Sequence, residues 1–284
     1  MKKICYIVTI SLTIKAFFIP QLKRLSDSGY EVTVICSPDK NLHHILGEKI
    51  KYIPLEIPRG ISFGKMLVAL GKLIKIFSKE KFDFVQYSTP NAALCASLAS
   101  VCTQCKIRNY HLMGFRYLGE TGIKRHVLKL LEKFICQCST NIECVSLSNY
   151  KLGVEEGIFK SNKALVIWNG SSGGVDLERF NICHRAQWRS EIRCQLGLQE
   201  KDFVFGFVGR ITKDKGINEI LKAFLQINVP SKLLLIGRRE DVGSLDLTLY
   251  QNSLQNKNIM YIDELTIRIR CAIKAADSAC FVAR

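Results

Sequence analysis

The clearest chemical signal in the chain is a pair of cations set among glycines at the end of an apolar run. Residues 203–208, Phe-Val-Phe-Gly-Phe-Val, lead into Gly209-Arg210, then Ile-Thr-Lys-Asp, then Lys215-Gly216. An apolar strand ending on a glycine, a short basic loop and a helical pattern over 217–227 are the parts from which α/β proteins build phosphate sites. Gly209 lets the backbone approach a ligand, the helix start offers unpaired N–H groups, and Arg210 and Lys215 supply charge-assisted bonds. Asp214 stands between the cations in sequence, so the competing reading is a surface ion pair with no ligand.

Other candidates are more dispersed. His111 follows the apolar strand 106–110 and precedes Gly114, and strand ends line the ligand crevice of open α/β sheets. A substrate-facing imidazole and a structural histidine are both compatible with that position. Phe115-Arg116-Tyr117 next to it reads as part of a ligand pocket, with Arg116 available to a phosphate, or as a packed loop. Ser11 and Thr13 lie in an expected loop, 11–14, whose hydroxyls and N–H groups precede a helix. Gly237-Arg238, after the apolar residues 233–236, repeats the glycine–cation ending. The twelve cysteines offer no comparable site: Cys102-x-x-Cys105 is a metal knuckle, but Cys136-x-Cys138 has the wrong spacing to complete it. Several others sit in apolar runs, as buried thiols do, and no export signal favours a disulfide framework.

These residues need a scaffold, and the hydrophobic pattern supplies one. Strands are expected over 4–10, 30–36, 51–55, 82–87, 106–112, 141–145 and 164–168. Helices are expected between them over 17–27, 61–79, 91–101, 123–136 and 148–157. Pro20 falls in the first turn of its helix or kinks it. The stretch 169–178, Asn-Gly-Ser-Ser-Gly-Gly-Val-Asp-Leu-Glu, is the strongest break and is followed by a helix over 186–196. A second series follows: strands 203–208, 232–236 and 259–262, helices 217–225 and 245–254, a helical pattern over 265–276, and an apolar run over 278–282. The expected fold class is therefore α/β, with two Rossmann-like domains of parallel sheet, the second incomplete. The boundaries fall at 1–170, a linker and helix over 171–200, and 201–284.

With 41 Lys and Arg against 25 Asp and Glu, the net charge of +16 calls for an anionic partner. Nucleic acid is excluded for want of a recognition module or basic–aromatic motif. A nicotinamide dehydrogenase is excluded because residues 9–16 contain no glycine. The amphipathic pattern of 61–79, with Lys23-Arg24 and Lys124-Arg125, suits either an anionic leaflet or a core-packed helix with a solvated face. The expected location is cytoplasmic, peripheral on the inner face of the cytoplasmic membrane.

Taken in order, the loop after the first strand, the histidine after a middle strand, the Gly174-Val175-Asp176 junction and the G-R-x-x-x-x-K-G turn resemble the family 4 glycosyltransferases of the GT-B type. The resemblance is to the branch that builds bacterial capsules and surface polysaccharides, and it spans essentially the whole chain. It implies a first domain for the acceptor, a lipid-linked glycan or oligosaccharide, and a second for a nucleotide-diphosphate sugar. Retention of anomeric configuration is implied, with no cofactor and no metal. By the same resemblance Arg210 and Lys215 grip the diphosphate and assist its departure. Gly209, Gly237, Arg238, Gly174 and Asp176 lie along the donor, with a hinge role open for the last two. His111 contacts the donor sugar, while Ser11, Thr13, Phe115 and Arg116 face the acceptor.

The family's acidic signature is expected after 275–282, and the chain stops at Arg284 before it. The expectation is a truncated or frame-disrupted product with weak or no transfer activity. The alternative is an inactive fragment that binds nucleotide, lipid or a partner protein.

Overall fold

A computed structural model of the chain describes residues 1–60, 62–178, 180–239 and 245–262, together with the backbone of 278–279. The chain divides into two compact units, Met1–Gly174 and Val175–Arg284. The first runs β1 (Lys3–Ile7), a single turn α1 (Ser11–Thr13), a π-helical turn (Ile14–Phe18), α2 (Ile19–Asp27), β2 (Glu31–Cys36), α3 (Leu42–Leu46) and β3 (Lys51–Pro54). It continues through α4 (Phe63–Glu80), β4 (Phe84–Tyr87), α5 (Pro90–Cys102), β5 (Ile107–Leu112), α6 (Gly122–Cys138), β6 (Asn141–Cys144), α7 (Leu147–Glu155) and β7 (Ala164–Leu165). The second unit contains α8 (Arg185–Gln195), β8 (Phe203–Val208), α9 (Ile217–Phe224), β9 (Ser231–Ile236), α10 (Leu247–Gln255), β10 (Ile259–Ile262) and β11 (Ser278–Ala279). The helical pattern expected over 265–276 lies outside the described residues.

Every strand pair in the first unit is parallel, in the order β3-β2-β1-β4-β5-β6-β7, so the sheet reverses its winding between β1 and β4. At that switch point the Thr9 N–H donates to Thr89 Oγ1 at 3.0 Å, and the two threonine hydroxyls lie 2.8 Å apart. Thr89 takes a φ of 67°, a conformation β-branched residues rarely adopt. In the second unit the described strands form a parallel sheet in the order β10-β9-β8-β11.

Alternation along the strands separates two cores. Cys5, Ile7, Val85, Tyr87, Tyr110 and Leu112 face a layer made by α4, α5 and α6. Ile4, Tyr6, Val8, Val32 and Val34 face Ile14, Phe18 and Leu22, all three fully buried.

That second layer corrects one expectation. Residues 11–14 form no loop; the chain turns helical at Ser11. Ile14, Phe18 and Leu22 recur every four residues, and in a regular α-helix each step of four drifts about 40° off a fixed face. A π-helical turn absorbs that drift, and it leaves Pro20 in the first turn of α2, where its missing N–H costs nothing.

One buried charge affects stability. Glu132 on α6 is buried against the sheet and accepts a 2.6 Å bond from the Tyr110 hydroxyl. Burial raises its pKa from 4.5 to about 7, with the Tyr110 bond opposing. In the unfolded chain the carboxyl ionises near its ordinary value, so the unfolded state holds fewer protons between pH 4.5 and 7. Stability therefore falls as pH rises through that window and levels off above it. Glu132→Gln removes the dependence. Relative to the unsubstituted chain its unfolding free energy should rise by about 3 kcal/mol between pH 4.5 and 7.5 in denaturant titrations. A difference that does not change with pH would contradict this.

Candidate functional site

Two places bring candidate side chains together, one in each unit. In the first unit a cavity of about 820 Å³ is lined by Phe17, Lys23 and Arg24 from the helical layer, His111 and Glu143 from the sheet, and residues 167–168 and 170–174 from the glycine-rich stretch. It exists because the sheet face beyond the helical layer carries polar side chains. Gln86 on β4, Asn109 and His111 on β5 and Glu143 on β6 share that face, and the register sets His111 directly beside Glu143. His111 Nδ1 lies 3.2 Å from Glu143 Oε1. Asn109 Nδ2 donates to Glu143 Oε2 at 3.1 Å and to Gln86 Oε1 at 3.0 Å. Burial works to raise the Glu143 pKa, but His111 and Asn109 together hold it below the ordinary value, so it is a carboxylate at neutral pH. The Phe18 ring meets the imidazole edge-on, with centroids 5.4 Å apart.

On the other side of His111 the glycine-rich stretch curls inward. Gly170 has a φ of 84°, and a Cβ there would lie 2.3 Å from the Val145 carbonyl oxygen, so only glycine fits. Ser171 N–H donates to that same oxygen, and the Ser171 hydroxyl accepts from Gly174 N–H at 3.1 Å. This places the Ser172 hydroxyl 3.4 Å from His111 Nε2.

The second unit holds the loop Gly209–Gly216. Gly209 N–H donates to Ile236 O and Ile211 N–H to Arg238 O, both at 3.0 Å, so the ends of β8 and β9 stay joined where both carry a glycine and an arginine. Thr212 Oγ1 donates to Asp214 Oδ1 at 2.6 Å. Asp214 Oδ2 is 3.1 Å from the Arg210 guanidinium and 3.6 Å from Lys215 Nζ. Burial raises the Asp214 pKa, but Thr212, Arg210 and Lys215 outweigh it and hold it low. One carboxylate oxygen thus gathers both cations, and Gly216 then opens α9 in a left-handed conformation.

The remaining candidates are distributed as follows. His111 stands inside β5 rather than after it and is 2% exposed. Gly174 lines its cavity; Asp176, in the second unit, accepts from Glu178 N–H at 3.0 Å. Ser11 Oγ donates to Asp39 Oδ2 at 2.6 Å, and Lys15 reaches the same oxygen at 2.6 Å, which holds Asp39 down at about 2. Neither Ser11 nor Thr13 lines the His111 cavity. Phe115 is a core residue packed on Tyr117, and of that trio only Arg116 is exposed. Glu143, Asn109, Gln86 and Ser172 escaped the sequence reading. The signal available for them was polar residues spaced two apart in apolar strands.

A family profile described as glycosyl transferase 4-like matches residues 3–146. The capsular polysaccharide biosynthesis glycosyltransferase CapM of Staphylococcus aureus is 34% identical over 270 residues, 93% of this chain and 69% of that protein. The UDP-Gal:alpha-D-GlcNAc-diphosphoundecaprenol alpha-1,3-galactosyltransferase of Escherichia coli is 25% identical over 267 residues, 90% of this chain and 66% of that protein. Among solved structures, Anabaena HepE in complex with UDP and glucose superimposes with a TM-score of 0.74 at 17% identity, over 100% of this chain and 74% of that one.

Proposed function

The chain belongs to the glycosyl transferase 4-like family and has the GT-B fold, and from that premise we propose that it moves a sugar from a nucleotide-diphosphate donor to a glycan acceptor in capsule or surface polysaccharide assembly. The observation that carries this reading is the loop of the second unit, where Arg210 and Lys215 converge on one carboxylate oxygen at a strand end. A diphosphate oxygen can exchange for Asp214 Oδ2 and keep both charge-assisted contacts. The same contacts strengthen as negative charge builds on the leaving nucleotide, so they favour the transition state over bound donor. His111 is the sugar contact of this reading, and anomeric configuration is retained. The solved relative with UDP and glucose supports a UDP-sugar as first donor to try. Isothermal titration of UDP-sugars and GDP-sugars is the direct test. Saturable binding that survives raised salt supports the reading; equal, salt-sensitive binding to any polyanion would overturn it.

A lipid-linked acceptor at an anionic membrane surface completes the proposal, and the name of the E. coli relative supports it. Helix α6 carries an exposed apolar stripe, Ile123, Val127, Leu130 and Phe134, on the side away from its buried Glu132 and Ile135. Phe63, Leu67 and Val68 of α4 are likewise exposed. Lys124 and Lys133 flank the α6 stripe, while Lys23 and Arg24 line the His111 cavity. No helix among the described residues is long and apolar enough to cross a membrane. Apolar side chains sunk at the headgroup boundary with lysines above them suit an anionic leaflet. Leu130→Glu should cut co-sedimentation with phosphatidylglycerol vesicles about tenfold. Retention equal to that of the unsubstituted chain would remove α6 from the proposed surface.

A further inference from the structure

The buried polar row on the first sheet has one member that the proposed function leaves unused. Glu143 is most of the way buried, yet it stays ionised beside an imidazole and an amide. An isolated carboxylate there would be expensive, so its neighbours have to repay its lost hydration. They do so in an ordered way. Asn109 spends both Nδ2 hydrogens on acceptors, Gln86 Oε1 and Glu143 Oε2, which fixes the amide orientation. Glu143 Oε1 lies 3.2 Å from His111 Nδ1, at ion-pair distance but off the line of a hydrogen bond, and as an ionised carboxylate it can only accept; no other polar group among the described residues bonds that nitrogen.

We infer that Glu143 is a positioning residue that keeps a proton on His111 Nδ1 and turns Nε2, as an acceptor, towards the cavity. The group nearest Nε2 is the Ser172 hydroxyl, at the long distance of 3.4 Å, and with the proton held on Nδ1 it can donate to Nε2. A sugar hydroxyl is the same donor chemistry and can replace it at a shorter distance. The Phe18 ring against the imidazole restrains its swing, so tautomer and tilt are set together. Neither Asn109 nor Gln86 needs to touch a ligand; they hold the carboxylate that holds the histidine. The inference rests on the proposal that His111 contacts sugar.

Glu143→Gln is the informative substitution, because it keeps size and can still hydrogen-bond while adding an N–H donor that faces Nδ1. That reverses the preferred tautomer. Long-range imidazole ¹H–¹⁵N spectra of the full chain report it directly, with the His111 signals assigned by their loss in His111→Gln. The unsubstituted chain should show Nδ1–H, and Glu143→Gln should shift the population to Nε2–H. An unchanged tautomer in Glu143→Gln would overturn the inference.

The link to sugar is read separately, as affinity for UDP-glucose against affinity for UDP. Glu143→Gln and His111→Gln should each weaken UDP-glucose about tenfold and leave UDP unchanged, with the double variant no worse than either. A tautomer shift with UDP-glucose affinity intact in both variants leaves Glu143 its role and refutes the sugar contact instead. Additive losses in the double variant would mean that Glu143 acts apart from His111, against the inference.

Discussion

Gly237→Ala should open the Gly209–Gly237 end of the second sheet while the first sheet stays closed. Gly237 follows β9 with a φ of 145°, and a Cβ there would lie 1.9 Å from the Gly209 carbonyl oxygen and 2.8 Å from its carbon. Both atoms are backbone and cannot rotate away. Gly209 is tied to Ile236 O at 3.0 Å, and Gly237 N–H to Ile262 O at 2.9 Å. An alanine must therefore part β8 from β9 or break the link to β10. With the strained φ added, the cost is about 3 kcal/mol or more. Hydrogen exchange separates this from general unfolding: amides of Phe203–Val208 and Ser231–Ile236 lose protection, and those of Lys3–Ile7 keep it. UDP-sugar binding disappears with the turn. Unchanged protection at the end of β8 would contradict the packing described here.

Arg210→Ala and Lys215→Ala should each weaken UDP binding about 10- to 100-fold, and the double variant by about a thousandfold. Arg210→Lys should rescue little, since an ammonium cannot present two parallel N–H bonds to a phosphate. Asp214 makes the third substitution diagnostic. The carboxylate now shared by both cations repels an arriving phosphate, so Asp214→Asn should tighten UDP a few-fold while the alanine variants loosen it. Opposite signs at residues in mutual contact distinguish a ligand grip from an ordinary surface ion pair. If all three substitutions leave UDP affinity unchanged, the loop is no phosphate site.

How much of this could be read from the chain varies with the physics involved. The strands were legible because parallel strands buried on both faces read as near-continuous apolar runs, rich in Val and Ile at 31–36 and in Phe and Val at 203–208. The five-residue α3 was not, because Leu42–Leu46 is too short to show a period. Residues 11–14 misled for a different reason: the one-turn α1 and the π-helical turn after it bury only Ile14 and Phe18, too little pattern to show that the helix begins at Ser11. The clustering of Arg210 and Lys215 was legible because it is local, six residues from one to the other. The polar row around His111 was not, because it depends on which strands lie side by side. Glu143 is 32 residues from its partner, and only the pairing of β5 with β6 makes them neighbours.

That row has a consequence for how the sheet finds itself. Where β5 and β6 pair, polar and apolar residues alternate, so a slip of one residue would turn every side chain over, whereas a slip of two keeps the alternation. Sliding β6 by two past β5 would keep Ile142 and Cys144 inward, yet it would set Glu143 beside Asn109 or past the strand end and leave His111 without its carboxylate. An unpaired buried charge makes that arrangement costly where apolar packing does not. The polar row thus acts as a register lock, telling the intended alignment from the nearest impostor. Replacing His111 and Glu143 together with valine should keep the fold's pattern and lose this discrimination, giving doubled amide resonances along β5 and β6. A single set of resonances would show that packing alone holds the strands in place.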